Sequence, residues 1–131
     1  MPGRLENKRV LVTQADDYMG PATIEVFSEA GANVMAHTGD LTQPNACEQL
    51  IADSGAIDVL VANLASPNFS GIPTAELTAD AWHCAFDVMV HPLHSLCRAV
   101  LPQMIDRKRG KIVVYGSASA LKGMRTLAAY S

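Results

Sequence analysis

The sequence predicts an α/β fold built on a doubly wound parallel sheet. Four short apolar runs, each bounded by turn residues, alternate with segments of helical periodicity. An apolar run without polar alternation is typical of a strand that is buried on both faces of a parallel sheet. Parallel neighbours need crossover helices, which cover both faces of the sheet and give three layers, α/β/α. With 131 residues, the chain is long enough for a single domain over residues 1–131.

Turn and capping residues set the expected boundaries of these elements. Pro21 lies in the first turn of a helix that Gly31 ends. Thr78 is suited to cap a long helix, which Pro92 should bend. The predicted strands cover residues 10–13, 33–37, 57–62 and 111–115, and the predicted helices cover 21–30, 44–53 and about 79–107.

Composition excludes several classes of function. The net charge is −3, and the basic cluster at 107–111 lies where cations complement the end of a helix, so we expect no nucleic-acid partner. No apolar run approaches the ~20 residues that span a bilayer, so we expect no membrane partner. The N-terminus is polar and charged, unlike a secretory signal. The three cysteines form no CxxC pair, which favours reduced thiols in a cytoplasmic protein.

Four features in sequence order resemble the short-chain dehydrogenase/reductase superfamily. They are the strand–turn–helix at 10–30, the segment 58–65 with Asn63, the long helix followed by 110–114, and Ser117 thirteen positions before Tyr130. The resemblance implies a Rossmann-like sheet in which Ser117 and Tyr130 are the catalytic serine and tyrosine. Since members of the family are usually about twice this length, we expect the domain to be incomplete, truncated after the catalytic tyrosine.

The turn after the first strand departs from that family. Its usual loop is T-G-x-x-x-G-x-G; here Thr13 and Gly20 match, but Gln14 and Tyr18 replace the first two glycines. Glycines permit the tight turn and let the backbone approach a pyrophosphate. We therefore expect the Tyr18 ring to occupy the pyrophosphate space and to exclude a dinucleotide.

The second strand also lacks part of a nucleotide site. It ends at His37 without the acid that would hold a ribose, and Asp40 reads as the start of the next segment. Only 20 residues separate His37 from Asp58, too few for the helix, strand and helix that the family places there. One helix–strand pair is expected to be missing.

These losses together resemble the halohydrin dehalogenases, whose loop is similar to T-x4-[FY]-x-G. Thr13, Tyr18 and Gly20 satisfy that pattern. The resemblance implies a lyase that converts vicinal halohydrins to epoxides plus halide without a nicotinamide cofactor. It also implies a halide pocket, in the former nucleotide space, formed by Thr13, Tyr18, Gly20 and Asn63.

Under this interpretation, Ser117 holds the substrate oxygen and Tyr130 removes its proton. A tyrosine ionises near pH 10 in water, and a neighbouring cation favours the phenolate and makes it a usable base. Taken alone, Ser117 is also a turn serine and Tyr130 a half-buried helix residue; Ser119 is a second candidate for the hydroxyl role. Met89 stands near the position of an active-site asparagine in many dehydrogenases.

Two other interpretations stay open. The same serine–tyrosine pair polarises a carbonyl in an NAD(P)-dependent oxidoreductase, and a non-enzymatic relative would use the fold for assembly. In each enzymatic case Pro67 and Phe69 are expected to border a small-molecule substrate, because loops at the carboxyl ends of parallel strands do so. The resemblance further implies a homo-oligomer, a tetramer, through helix 79–107. His91 and His94 are spaced for a metal pair, but no third ligand is evident, so no metal site is predicted.

Overall fold

A computed structural model describes residues 3–66 and 71–131, which form one four-stranded sheet with helices on both faces. Every pair of neighbouring strands is parallel, in the order β2-β1-β3-β4. The strands are β1 (Arg9–Val12), β2 (Asn33–Ala36), β3 (Val59–Ala62) and β4 (Lys111–Val114). The helices are α1 (Gly20–Glu29), α2 (Ala46–Ser54), α3 (Ala79–Met89), α4 (His91–Asp106) and α5 (Ser119–Lys122), with a short 3-10 helix at Thr74–Glu76. The predicted doubly wound α/β fold is therefore confirmed.

Alternate residues of the central strands face different layers. Val10 and Val12 of β1 pack on the side of α1, against Ile24 and Phe27. Leu11, between them, packs on the opposite side, where α2 and α4 supply the neighbouring side chains. This alternation follows from the pleat of a strand, which points successive side chains to opposite faces. Because both faces are covered, the strand carries no polar residue within Val10–Val12.

The segment between β2 and β3, all of which is described, contains α2 as its single element. The expectation that a helix–strand pair is missing there agrees with this arrangement. β2 consequently forms one edge of the sheet, and its residues are partly exposed.

The predicted bent helix over 79–107 is instead two helices. α3 ends at Met89 and α4 begins at His91, with Val90 between them. Pro92 explains the break: it lacks the N–H that would bond one turn back, and its ring clashes with the carbonyl of that turn. The prediction of a single bent helix was therefore wrong, because the helix is interrupted at Val90. Thr78 does cap α3, accepting a hydrogen bond from the Ala81 N–H at 3.1 Å.

Two further features bear on the expected cellular setting. Within residues 3–66 and 71–131, no helix combines the length and apolar character needed to cross a membrane. The three cysteines are free thiols, and Cys47 is buried.

Candidate functional site

The loop between β1 and α1 keeps a left-handed backbone at two positions that are not glycine. Gln14 has φ 45° and Tyr18 has φ 52°. These are the positions at which the dehydrogenase loop carries its first two glycines. Non-glycine residues visit this region rarely, at a cost of about 1–2 kcal/mol each. The turn has therefore lost its glycines without losing the conformation that glycines favour.

Side chains from the end of β3 hold this strained turn. Asn63, which is fully buried, donates from Nδ2 to the carbonyl oxygens of Gln14 at 2.9 Å and Asp17 at 3.0 Å. The Gln14 side chain accepts from the Ala65 N–H at 2.8 Å and donates to Asp17 at 3.2 Å. These bonds offset the unfavourable backbone angles, because each satisfies a group that would otherwise have to remain solvated.

Thr13 and Gly20 lie behind the loop. Thr13 is fully buried, and its hydroxyl donates to the Asn63 carbonyl oxygen at 3.0 Å. At Gly20 a Cβ would approach the Ala15 carbonyl oxygen to 2.5 Å, so only glycine fits at the start of α1. Thr13, Gly20 and Asn63 thus support the turn from behind. Their predicted contact with a bound ligand stays a prediction.

Tyr18, Ser117 and Tyr130 meet at one cavity of about 230 Å³. Ser117 follows β4, and Leu64 to Ser66 follow β3, so the cavity lies at the carboxyl ends of these two parallel strands. Ligands bind at this edge of open parallel sheets. Met89, at the last residue of α3, also lines the cavity, as its position in the sequence had indicated. Pro67 and Phe69 lie outside the described residues, so their predicted place beside a substrate stays a prediction.

Ser119 supports Ser117 instead of facing the cavity. Ser119 is 3% exposed, and its hydroxyl donates to the Ser117 hydroxyl oxygen at 2.9 Å. The Ser119 N–H points to the same oxygen at 3.3 Å. Two donors to its oxygen leave the hydroxyl hydrogen of Ser117 to point elsewhere. Of the two candidate serines, Ser117 is the one that lines the cavity.

The two cavity tyrosines, Tyr18 and Tyr130, interact with each other. The pKa of Tyr18 is raised above its ordinary value, first by the charge that Tyr130 carries when ionised, then by burial, then by a side-chain hydrogen bond with Tyr130. Half of the Tyr18 side chain remains exposed. A raised pKa means that ionisation of the Tyr18 hydroxyl is disfavoured relative to that of a free tyrosine.

A second cavity, of about 200 Å³, lies beside Gln14. Residues that follow β2 and residues that follow β3 line it. Asp40 lines it. The Asp40 carboxylate accepts hydrogen bonds from Gln43 at 2.7 Å and from the Thr42 N–H and hydroxyl at 2.9 and 2.7 Å. These bonds, led by that from Gln43, lower the pKa of Asp40 and keep it ionised. Sequence reasoning assigned Asp40 to the start of the next segment, and the structure places it between β2 and α2, at the second cavity.

The histidine pair on the helix after Thr78 has a structural explanation. His91 Nδ1 lies 3.0 Å from an Asp87 carboxylate oxygen, within hydrogen-bond distance, across the break between α3 and α4. Among the residues that the structure describes, no three histidine, cysteine or acidic side chains are grouped as metal ligands would be.

Comparison with known protein families shows to which family the chain belongs. The family model described as "short chain dehydrogenase" matches residues 5–131.

The chain belongs to the short chain dehydrogenase family.

Individual relatives within this family are named as dehydrogenases. The chain is 31% identical to a 2-keto-3-deoxy-L-fuconate dehydrogenase of Xanthomonas campestris pv. campestris, over 92% of its own length and 47% of the relative. It is 29% identical to a galactitol 2-dehydrogenase of Rhizobium johnstonii, over 88% of its own length and 55% of the relative. The chain thus spans about half the length of the curated relatives that it matches.

Solved structures confirm the fold, but the match in fold does not distinguish a dehydrogenase from a dehalogenase. A protein described as "Dehalogenation enzyme" matches with a TM-score of 0.86 at 26% identity, covering 95% of this chain and 60% of its own. A gluconate 5-dehydrogenase from Burkholderia cenocepacia, in complex with NADP and tartrate, matches with a TM-score of 0.87 at 24% identity, covering 97% and 60%. A protein described as a dehalogenation enzyme and a dehydrogenase therefore share this fold.

These comparisons overturn the predicted halohydrin dehalogenase. The family model is described as a dehydrogenase, and the curated relatives are named as dehydrogenases. The predicted absence of a nicotinamide cofactor is contradicted by the same findings. The reasoning from the loop failed because Gln14 and Tyr18 have φ angles of 45° and 52°, so the missing glycines did not mean that the left-handed turn was lost.

Proposed function

We propose that the whole protein is an NAD(P)-dependent oxidoreductase that interconverts a secondary alcohol and a carbonyl in a small polar substrate. The observation that carries the proposal is that Ser117 and Tyr130 line one cavity beside the loop at 13–20. Two hydroxyls at one cavity provide a proton acceptor and a hydrogen-bond donor for the same substrate oxygen.

The roles of the two hydroxyls follow from the chemistry. In the oxidation direction, Tyr130 as phenolate accepts the proton of the substrate hydroxyl, while Ser117 donates a hydrogen bond to the substrate oxygen. When bound, a nicotinamide would supply the hydride acceptor in this direction. In reduction Tyr130 returns the proton and Ser117 stabilises the negative charge that develops on the carbonyl oxygen.

The loop of this chain fits a dinucleotide. Its left-handed angles at Gln14 and Tyr18 are those of a glycine-rich loop, and Gly20 has no room for a side chain. No side chain caps the N-terminus of α1. The Gly20 N–H donates to the Asp17 carbonyl oxygen at 2.9 Å and Pro21 has no N–H, so the Ala22 N–H is the first that a phosphate would meet. The residues that would hold the cofactor are the backbone of 14–20 and, at the ribose, Asp40.

Asp40 favours NAD over NADP. A carboxylate about twenty residues after the loop is suited to accept hydrogen bonds from ribose hydroxyls, and its charge repels a 2′-phosphate. Asp40 is ionised and lines the cavity between the ends of β2 and β3. The names of the curated relatives, a fuconate derivative and galactitol dehydrogenase, support a polyhydroxylated substrate.

The proposal extends to assembly: the whole protein forms a homo-oligomer, a tetramer, through α3 and α4. Leu101 and Ile105, one turn apart on α4, are 41% and 66% exposed, and Trp82 on α3 is 41% exposed. Large apolar side chains on neighbouring helices are typical of a surface that another subunit covers.

Calorimetric titration of the full-length protein with NADH and NADPH tests the proposed cofactor. We expect micromolar binding of NADH, weaker binding of NADPH, and a loss of about tenfold in NADH affinity in Asp40→Ala, which corresponds to one ribose hydrogen-bonding group. Asp53→Ala, at an exposed acid on α2, is the matched control and should bind as the parent does. If neither dinucleotide binds, the oxidoreductase proposal fails; if Asp40→Ala binds NADH unchanged, only the role of Asp40 fails.

A further inference from the structure

The Gln14 side chain connects the loop after β1 to the segment after β3. Its Oε1 atom accepts a hydrogen bond from the Ala65 N–H at 2.8 Å, and its Nε2 atom donates to the Asp17 carboxylate at 3.2 Å. The left-handed φ of 45° at position 14 disfavours a residue that carries a side chain. The proposed oxidoreductase makes no use of this side chain, so its presence in the loop calls for an explanation.

Two cavities share the residue to which Gln14 is bonded. Leu64 and Ala65 line both the cavity of about 230 Å³ and the second cavity, of about 200 Å³. Gln14 lines the second cavity together with Asp40, and Tyr18 lines the first. The Gln14 side chain therefore joins the loop to the β3 segment close to where the two cavities adjoin.

The proposed cofactor needs more space than either cavity provides. Both cavities are smaller than the roughly 300–1,000 Å³ of typical ligand pockets. A dinucleotide that binds at Asp40 and beside Ser117 and Tyr130 has to span both cavities. It then passes Ala65, whose N–H is bonded to Gln14.

We propose that the Gln14 side chain, with its bonds to Ala65 and Asp17, is a latch that weakens dinucleotide binding and has to open before the ligand can span both cavities. The inference rests on the proposed function, because the ligand is the NAD(P) cofactor proposed there. Opening breaks the two side-chain hydrogen bonds and frees the Ala65 N–H as a donor for the ligand. When only a fraction of the molecules is open, the observed Kd is the intrinsic Kd divided by that fraction, so the closed latch reduces affinity.

The turn itself does not depend on the latch. The carbonyl oxygens of Gln14 and Asp17 accept hydrogen bonds from Asn63 at 2.9 and 3.0 Å. The Ala15 N–H donates to the His37 carbonyl oxygen at 2.9 Å. None of these bonds involves the Gln14 side chain, so they can persist when that side chain moves away from Ala65.

Gln103 provides a matched control before the start of β3, at the opposite end of that strand. Its side chain also accepts from a backbone N–H, that of Ile57 at 2.9 Å, and donates to the Gly55 carbonyl oxygen at 3.1 Å. Gln103 lines neither of the two cavities. Gln103→Ala therefore loses similar hydrogen bonds without changing the path between the cavities.

The test is calorimetric titration with NADH of the full-length protein, Gln14→Ala, Gln14→Gly and Gln103→Ala, with thermal unfolding of each. We expect both Gln14 variants to bind NADH about tenfold more tightly than the parent, the size of one hydrogen bond that no longer has to be broken. Gln14→Ala should do so while unfolding at a lower temperature. Gln103→Ala should also unfold at a lower temperature but keep the affinity of the parent. A gain in affinity together with a loss of stability distinguishes a latch from a side chain that only supports the loop.

A second measurement uses the parent and does not require the variants to fold. Crystal structures of the full-length protein with and without NADH should show the bond between Gln14 Oε1 and the Ala65 N–H in the free protein and its loss in the complex. A bond retained in the complex, or Gln14 variants that bind NADH no more tightly than a parent that binds it, overturns the latch and leaves the proposed oxidoreductase standing. If neither the parent nor the Gln14 variants bind NADH or NADPH, both proposals fail.

Discussion

The side-chain amide of Asn63 donates a hydrogen bond to the carbonyl oxygen of Gln14 at 2.9 Å, joining the end of β3 to the loop after β1. The same amide reaches Asp17 at 3.0 Å. One buried side chain thus satisfies two carbonyls of a turn whose backbone is unfavourable for its residues. The conformation of the candidate cofactor loop depends on this contact.

Asn63→Ala should consequently destabilise the protein and release the loop. Two carbonyl oxygens of the turn each lose one of their two donors, so we expect the free energy of unfolding to fall by about 1–3 kcal/mol. Denaturant unfolding measures that loss, and hydrogen exchange should quicken at residues 14–20 in particular. Asn33→Ala, at an exposed position of β2, is the control and should change stability by less than about 0.5 kcal/mol. Equal effects of the two substitutions would contradict the role given to Asn63.

The left-handed angle of Gln14 predicts an inverted preference between alanine and glycine. Both Gln14→Ala and Gln14→Gly lose the side-chain bonds to Ala65 and Asp17, but only glycine relaxes the φ of 45°. We expect the glycine variant to be the more stable of the two by about 1 kcal/mol in thermal unfolding. At Glu25, an exposed position within α1, the same pair should rank the other way, because glycine disfavours a helix interior. The angle would be misassigned if alanine were the better residue at position 14 as well.

Ser117 and Ser119 should differ in their effect on turnover. Ser117→Ala removes the proposed donor to the substrate oxygen, and a loss of about 10²-fold or more in kcat is typical of removing such a donor. Ser119→Ala removes only the bond that orients Ser117, so we expect a loss of about tenfold or less. Steady-state kinetics of the full-length protein with NAD and a panel of polyols provides the comparison. A Ser119→Ala variant as impaired as Ser117→Ala would mean that Ser119 itself meets the substrate.

Asp58 should contribute stability that is lost in acid. Its pKa is lowered, first by the Arg9 backbone N–H at 3.0 Å, and also by Arg107 at 3.1 Å and by the charge of Arg109. A lowered folded-state pKa means that the contribution is fully present above the unfolded value of about 4 and declines as the pH falls through the folded one.

Asp58→Asn therefore should lower the free energy of unfolding by about 1–3 kcal/mol at pH 7 and flatten its dependence on pH below about 4. Urea unfolding from pH 2 to 7 measures both effects. Asp106→Asn, at an exposed acid that ends α4, is the control. If the parent and Asp58→Asn lose stability in parallel as the pH falls, the acid sensitivity comes from other groups.

The sheet, and the meeting of Ser117 with Tyr130 at one cavity, were predictable because their signals are local or periodic. Apolar runs such as Val10–Val12 mark buried parallel strands, and the spacing of Ser117 and Tyr130 matched a family pattern that the shared cavity agrees with. The break at Val90 was harder, since a proline in a long helical pattern bends some helices and interrupts others.

The loop could not be predicted, because its conformation is decided far away in the chain. Residue type alone argued that Gln14 and Tyr18 had abandoned the glycine conformation, and the absence of a cofactor was inferred from that. The deciding bonds come from Asn63 and Ala65, about fifty positions later, and no propensity of the loop residues reports them. The position of Asp40 at the second cavity likewise depends on the folded chain and was not evident from the residues alone.

The parallel pairing of β1 with β3 also determines when this loop takes shape during folding. The bond between Asn63 and Gln14 closes 49 residues of chain, and parallel neighbours are joined only after an intervening crossover has been laid down. Closing such a stretch costs chain entropy before any contact compensates for it, which slows the folding of nonlocal topologies. Until β1 and β3 have paired, residues 13–20 therefore have only the bonds among themselves and lack those from Asn63 and Ala65. The part of the molecule proposed to receive the cofactor acquires these supports only once β3 has been synthesised.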